Sequence, residues 1–546
     1  MNESLESLKD KAKIEYFAKE FSLEPLVMKL IFERGYRDYN SIDQFLKPDY
    51  SNLFEPYCLV DMKKAVDRIL FAIKRKEKIA IFGDYDVDGV TATSILYKAL
   101  RMFKADVTFY IPKRTEGYGL SIDGVDKFAD EDVALIITVD NGTTAHDAIG
   151  RAGKRGIDVI VTDHHDVLGK YPDCYAFINP KRSDNNLRFP YLSGVGVALK
   201  LVQALLLERG YWNKCKMEFF ELAALGTIGD AVPLKDENRL IVQLGIEKMV
   251  NDPSKGVRAL LNLLQMRHIT STSIAYSIVP IINSIGRLSD PNFAVKVLTS
   301  NACEEKIEEC WRKLIRLNDL RKNLLHEQLL QAELLINLNE INKQKVIVVA
   351  GNFHEGITGL LATKISEKYR KPSIVIASSG KGAGRSFSGS AFSFIQAISK
   401  CSDFIKSYNG HQAAVELNIH LDRYHQFRQT LQNNTQNIVD EVGFKYEKTL
   451  PILEFPKELH DQLRYLEPFG KGNLPPIFYC SEMVERVIYF GNKNQHAKFQ
   501  IGDKEAILFF RGNEVKSFKN QKLNLECFYS PQSLNNRQFL IHDFKL

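Results

Sequence analysis

Four short acidic runs carry the residue types and spacing for chemistry. Residues 84–89 read Asp-Tyr-Asp-Val-Asp-Gly, residues 140–142 Asp-Asn-Gly, residues 163–166 Asp-His-His-Asp, and Asp230 stands in Gly-Asp-Ala-Val-Pro-Leu. Carboxylates crowded together repel and raise one another's pKa, so such a cluster calls for cations at neutral pH. Hard oxygen donors with one or two imidazoles suit Mn²⁺ or Mg²⁺, and the thiolates that favour zinc are absent from these runs. Two ions about 3.5–4 Å apart clamp a phosphoryl group and activate a water for in-line attack. The first run also has the opening of an EF-hand loop. It lacks the acidic residue that a calcium loop needs near Leu96, and it follows a strand rather than a helix.

These runs need elements to bring them together. KIAIFG (78–83), VTFYI (107–111), VALIITV (133–139) and IDVIVT (157–162) are apolar and alternate with helical stretches, the pattern of a parallel sheet covered on both faces. Three of them end directly in acids. Ligands of open parallel sheets bind beyond the carboxyl ends of the strands, so the acids are expected at one edge. The expected layout is a helical region over 1–75, a first α/β domain over 76–301 and a connecting helix over 302–340. A second α/β domain over 341–450 and a β-rich barrel or sandwich over 451–546 complete it. KVIVVAG (345–351) and PSIVIAS (372–378) are strands of the second α/β unit. Its Gly-rich run Lys381–Ser386 reads equally as a surface turn or as a backbone nest for an anion, with Arg385 as a bidentate phosphate donor.

Bulk properties narrow the class. A chain of 546 residues suggests three or four domains. Its 45% apolar and 26% charged residues are those of an ordinary globular protein. Lys and Arg number 73 against 67 acids, and a net charge of +6 permits a nucleic-acid partner without arguing for one. The charged N-terminus carries no signal core, and no run of about 18 apolar residues is present. Eight scattered cysteines without a C-x-x-C pair point to reduced thiols in a cytoplasmic protein.

DYDVDG, VDNG, DHH and GDAVPL, in that order, resemble the motifs of the DHH phosphoesterase superfamily. The segments RGYRDYNSIDQFLKP and LEPFGKGNLPPIF (466–478) are similar to those of its RecJ family. The resemblance covers nearly the whole chain. It implies a parallel-sheet DHH domain and a DHH-associated phosphate-binding domain joined by a long helix, followed by an OB fold that binds single strands. It implies metal ligands at Asp86, Asp88, Asp140, His164 and Asp230, with Asp84 as a further ligand. His165 is then a ligand or catalytic neighbour, and Asp163 orients an imidazole. Phe82 stands where some members have His. The resemblance also implies substrate contacts at Asn283 and Arg287 in NSIGRL, at Gly384, Arg385 and Ser386, and at His411. Asn409 and Val415 depart from the family's Gly-Gly-His-x-Ala-Ala-Gly pattern. The implied activity is metal-dependent 5′→3′ hydrolysis of single-stranded DNA to mononucleotides in DNA repair and recombination. Single-strand binding protein and a helicase are the implied partners. The alternative is a DHH phosphodiesterase acting on short oligonucleotides or cyclic dinucleotides.

Overall fold

Five parallel strands lie side by side in the computed structural model, which describes residues 5–167, 169–387, 389–410, 412–435, 445–491, 494–509, 511–532 and 535–546. They are β1 (Lys78–Phe82), β2 (Val107–Tyr110), β3 (Val133–Val139), β4 (Asp158–Thr162) and β5 (Ala176–Ile178), in the order β2-β1-β3-β4-β5. The order reverses between β1 and β3, and the crevice beyond such a reversal is where open sheets bind ligands. Ile79 and Ile81 face one core and Ala80 and Phe82 another, so both faces are covered and the strands read as unbroken apolar runs. Among the helices over these faces are α1 (Val87–Met102), α2 (Gly194–Glu208) and α3 (Met217–Gly229). The helix α4 (Val279–Leu288) packs against α1 and α3.

Next comes α5 (Glu304–Leu338), 35 residues and so about 52 Å long. Ile307, Trp311 and Leu314 near its start belong to the core of the first sheet, and Ala332 and Ile336 near its end to a core of the second. That second sheet comprises β6 (Ile347–Gly351), β7 (Ser373–Ala377), β8 (Lys381–Arg385), β9 (Ile405–Gly410) and β10 (Ala414–Ile419), ordered β6-β7-β8-β10-β9. The last seven strands form one sheet: β11 (Lys448–Thr449), β12 (Phe478–Val484), β13 (Arg486–Phe490), β14 (His496–Ile501), β15 (Lys504–Leu508), β16 (Leu523–Gln532) and β17 (Asn535–Lys545). The α/β class, the long connecting helix and the C-terminal β region follow the sequence expectation.

Two features depart from it. The N-terminal helices do not form a unit of their own. Val27, Leu30, Ile31, Ile42 and Phe45 share a core with Phe478, Phe499, Tyr529 and Phe539 of the last sheet. The helix Met62–Arg75 instead packs its Met62, Ala65 and Ile69 into the core of the first sheet. Second, Lys381–Arg385 is not a Gly-rich loop but β8, paired on both sides with β7 and β10.

Candidate metal centre and the cleft above it

Asp84 and Asp86 follow β1, and Asp86 caps α1, its carboxylate accepting the N–H groups of Asp88 at 2.8 Å and Gly89 at 3.2 Å. Gly89 permits this reversal, since a Cβ there would lie 2.4 Å from the Asp84 carbonyl oxygen. Asp88 turns back to α2 and accepts the N–H groups of Gly194 at 2.7 Å and Val195 at 2.8 Å. Those N–H groups open a helix and have no partner within it. Asp140 ends β3 with a left-handed φ of +62°, a conformation that Asp tolerates better than most residues. It is pinned there by its N–H donating to the Thr162 carbonyl at 3.0 Å. Asn141 braces the same turn through the Phe82 and Val139 carbonyls. His164 follows β4, and Asp230 ends α3.

These elements bring the candidate ligands together. His164 Nε2 lies 3.1 Å from Asp140 Oδ1 and 3.8 Å from Asp88 Oδ2, and its Nδ1 lies 3.6 Å from Asp230 Oδ2. Three trios have donor atoms mutually within 4.8 Å: Asp84, Asp86 and Asp140; Asp88, His164 and Asp230; Asp140, His164 and His165. Asp140 and His164 each belong to two of them, an arrangement that suits two adjacent ions. Asp84 Oδ1, Asp140 Oδ1 and Asp230 Oδ2 are buried without a hydrogen-bond partner. Buried polar atoms are rarely left so, and these fit hard cations. Phe82 is fully buried and packs edge-on against Phe128, so the first trio stands without a histidine.

Burial and the Asp86 carboxylate push the Asp84 carboxyl up to about 8. Burial with Asp230 raises Asp86, burial with Asp140 and Asp230 raises Asp88 well above the carboxylate range, and burial with Asp86 and Asp84 does so for Asp140. Asp163 runs the other way. Burial opposes its charge, but the His165 ring and hydrogen bonds from His165 and Thr143 hold it low. Its Oδ1 lies 2.7 Å from His165 Nδ1, which fixes the ring and leaves Nε2 for another partner.

A prediction on stability follows from the raised carboxyls. Between its ordinary 3.8 and about 8, folded Asp84 holds a proton that the unfolded chain has released. Stability from that proton is complete below the lower value and gone above the higher. Chelated protein is therefore expected to lose Tm from pH 5 to 8.5, while saturating Mn²⁺ counters the exposed charge. The gap between the two Tm values, read by scanning fluorimetry, should widen with pH; an equal gap at both ends would refute the cluster's electrostatics.

Above the acids the two α/β units form a cationic cleft. Arg287 on α4 donates through Nη1 to the Gly356 carbonyl of the second unit at 2.8 Å. Burial and the nearby guanidiniums of Arg114, Arg321 and Arg385 all disfavour its charge. Arg385, at the end of β8, is lowered by burial, with Glu416 opposing and Arg114 adding to the effect. Arg114 stacks 4.1 Å over the Tyr85 ring and reaches Glu416 at 3.5 Å. Arg114 also lies near the Asp84 and Asp86 carboxylates, so this group of cations borders the acidic cluster and offers donors to an anion held beside it.

The expected substrate residues divide. Arg287 and Arg385 come together here, and Ser386, the residue after Arg385, has its Oγ buried without a partner. Asn283 turns its Oδ1 to the Val87 N–H at 2.8 Å, bracing the acidic loop. Gly384 is corrected: its backbone sits inside the sheet, and a Cβ on it would lie 2.6 Å from the Phe394 ring. It makes room for packing and forms no nest. Asn409 lies in β9 opposite Glu416, so no left-handed turn is asked of it. His411 lies outside the described residues.

Reading by motif missed Arg114 and Tyr118. Tyr118 donates to the Asp140 carbonyl at 3.2 Å, and its hydroxyl lies 3.3 Å from the His165 ring nitrogens. Both follow β2, whose end lies at the same edge, so the strand-end rule applied to all four runs would have found them.

Family models agree with this layout: the DHH family N-terminal domain matches residues 78–227 and the RecJ OB domain residues 446–539. The chain is 30% identical to the single-stranded-DNA-specific exonuclease RecJ of Salmonella typhimurium over 84% of its own length and 83% of the relative's. It is 31% identical to Bacillus subtilis RecJ over 91% of its own length and spans 64% of that relative. The crystal structure of Thermus thermophilus RecJ in complex with Mn²⁺ superposes with a TM-score of 0.82 at 24% identity, covering 99% of this chain and 78% of that one; it shows the fold.

Proposed function

The chain belongs to the RecJ family, and on that premise we propose that it is a metal-dependent exonuclease of single-stranded DNA. The observation that carries the reading is an acidic cluster adjoined by a group of arginines. Asp84, Asp140 and Asp230 have orphaned oxygens, and Arg114, near Asp84 and Asp86, links their cluster to the guanidiniums of Arg287 and Arg385. In the proposed assignment Asp84, Asp86, Asp88, Asp140, His164 and Asp230 hold two Mn²⁺ or Mg²⁺ ions. Bound there, such ions polarise a phosphate and lower the pKa of a water. Arg287 and Arg385 hold the oxygens of a phosphate, where charge-assisted forks are strong, and Ser386 adds a hydroxyl. His411, in the family pattern, contacts the same phosphate. His165 turns Nε2 to the reacting group, with Asp163 holding the ring. The proposal extends to 5′→3′ polarity, release of mononucleotides, a cytoplasmic role in DNA repair and recombination, and single-strand binding protein and a helicase as partners. All eight cysteines are free thiols, as a reducing compartment would leave them.

Digestion of a long single strand labelled at one end or the other, under Mn²⁺ or Mg²⁺ titration, tests the proposal. The 5′ label should leave at once as a mononucleotide, and the 3′ label last. Arg385→Ala should raise KM by about tenfold or more, the loss of a charge-assisted bond. Faster hydrolysis of a dinucleotide or cyclic dinucleotide than of the strand would overturn the reading.

A further inference from the structure

Tyr276 is the most exposed large hydrophobic residue among those described, at 81% of its surface. It lies in a π-helical segment, Ile274–Ile278, between a single helical turn at Ser271–Ser273 and α4. π-Helical turns are rare and recur at functional sites. Pro280, Asn283 and Arg287 recur at three- and four-residue spacing and share one side of α4, and Tyr276 stands exposed on the turn that leads into it.

That helix joins the two places a strand must visit. At one end Arg287 reaches the cationic cleft, and Gly286 packs so closely that a Cβ on it would meet the Tyr85 carbonyl oxygen at 2.0 Å. Midway, Val279 lies against Gly229, the residue before Asp230; a Cβ on Gly229 would be 3.4 Å from Val279 Cγ1. At the other end Ser271 donates its hydroxyl to the Phe469 carbonyl at 2.7 Å, in the segment leading to the last sheet. Tyr276 is therefore on the order of 10 Å along the helix from Asn283, toward the C-terminal domain. Arg267 and His268 beside this end are exposed and make no ion pair among the described residues.

We infer that Tyr276 is a positioning residue on which a base of the single strand stacks between the C-terminal domain and the metal centre. The inference rests on the single-strand reading above. An aromatic face holds any base, which suits an enzyme without sequence preference, and a nearby cation tracks the phosphates. The ring stands out from the surface at the π-helical turn, and among the described residues no hydrogen bond holds its side chain.

The test is steady-state hydrolysis of a long single strand by full-length wild type, Y276A, Y276F, Y276W and Y276L. A second readout is the quenching of 2-aminopurine placed along the strand and bound to the inactive D140A background with and without Y276A. Y276A should raise KM about tenfold and change kcat less than about twofold, the loss of one stacked base. Y276F and Y276W should stay near wild type, and the quench seen on D140A should disappear when Y276A is added to it. Y276L keeps bulk without a π face and should behave as Y276A, which carries the comparison if the alanine folds poorly. Y211A alters an exposed tyrosine just beyond the far end of α2 and should leave both readouts unchanged. An unchanged KM and quench in Y276A, or a fall in kcat alone, would overturn the inference. Failure of wild type itself to degrade the strand would overturn the proposed function instead.

Discussion

Asp140→Ala is expected to reduce hydrolysis of single strands by at least ~10³-fold while the protein stays folded. Asp140 is one of two residues shared between trios of candidate ligands, so its loss weakens the hold on both ions. Several kcal/mol of charge stabilisation supplied through a metal corresponds to about this factor. Stability should move differently. Burial with Asp86 and Asp84 raises the Asp140 carboxyl well above its ordinary range, so its charge opposes folding when no cation is present. Removing it relieves that repulsion, while alanine at a φ of +62° costs about 1–2 kcal/mol. The metal-free alanine variant should thus melt near metal-free wild type. Asp140→Asn keeps the shape and the tolerance of left-handed backbone, so it should melt no lower, yet be as inactive. In both variants Mn²⁺ should raise Tm less than in wild type. Near-wild-type degradation by either would sink the assignment.

The metal site was legible because of where its residues stand on strands. β1, β3 and β4 are unbroken apolar runs that end in Asp84, Asp140 and Asp163, and a parallel sheet puts such ends at one edge. Asp230 was legible as a fourth acid in a Gly-flanked loop after a helix, but its meeting with His164 was not, since nothing in a helix end predicts which strand end it meets. Packing across long sequence separations was not legible: no periodicity in residues 25–46 tells that Ile31 and Phe45 meet Phe478 and Tyr529. The β8 strand was hidden by its glycines, which weaken strands and normally mark turns. Here they admit close neighbours instead, for a Cβ on Gly382 would meet the Val375 carbonyl at 2.6 Å. Arg114 and Tyr118 sit in the loop after β2, whose residue types carry no motif, so only that strand's place in the parallel sheet marks them.

The second large effect concerns a residue that no motif marks. Gly194→Ala is expected to cost about 10²-fold in kcat/KM and about 1–3 kcal/mol in stability. Helix propensity alone argues the opposite, since alanine is the better helix former, and Gly194 has no left-handed φ to protect. The obstacle is space: a Cβ there would lie 2.5 Å from both Cβ and Oδ1 of Asp140 and 2.6 Å from its Cγ. Asp140 cannot yield easily, because its backbone is held to Thr162 and its carbonyl accepts from Tyr118. If α2 yields instead, the N–H groups of Gly194 and Val195 leave the Asp88 carboxylate. Either movement displaces a candidate ligand, and a shift of about 1 Å at a reacting centre suffices for the predicted loss. Gly196→Ala is the control, for its Cβ would meet Leu192 Cβ and Ser193 Oγ at 3.3 Å, away from the acids. It should fall by no more than a few-fold. Mn²⁺ affinity by calorimetry should weaken in Gly194→Ala and hold in Gly196→Ala. Equal activity in the two variants would mean that the approach of α2 to Asp140 does not set the metal site.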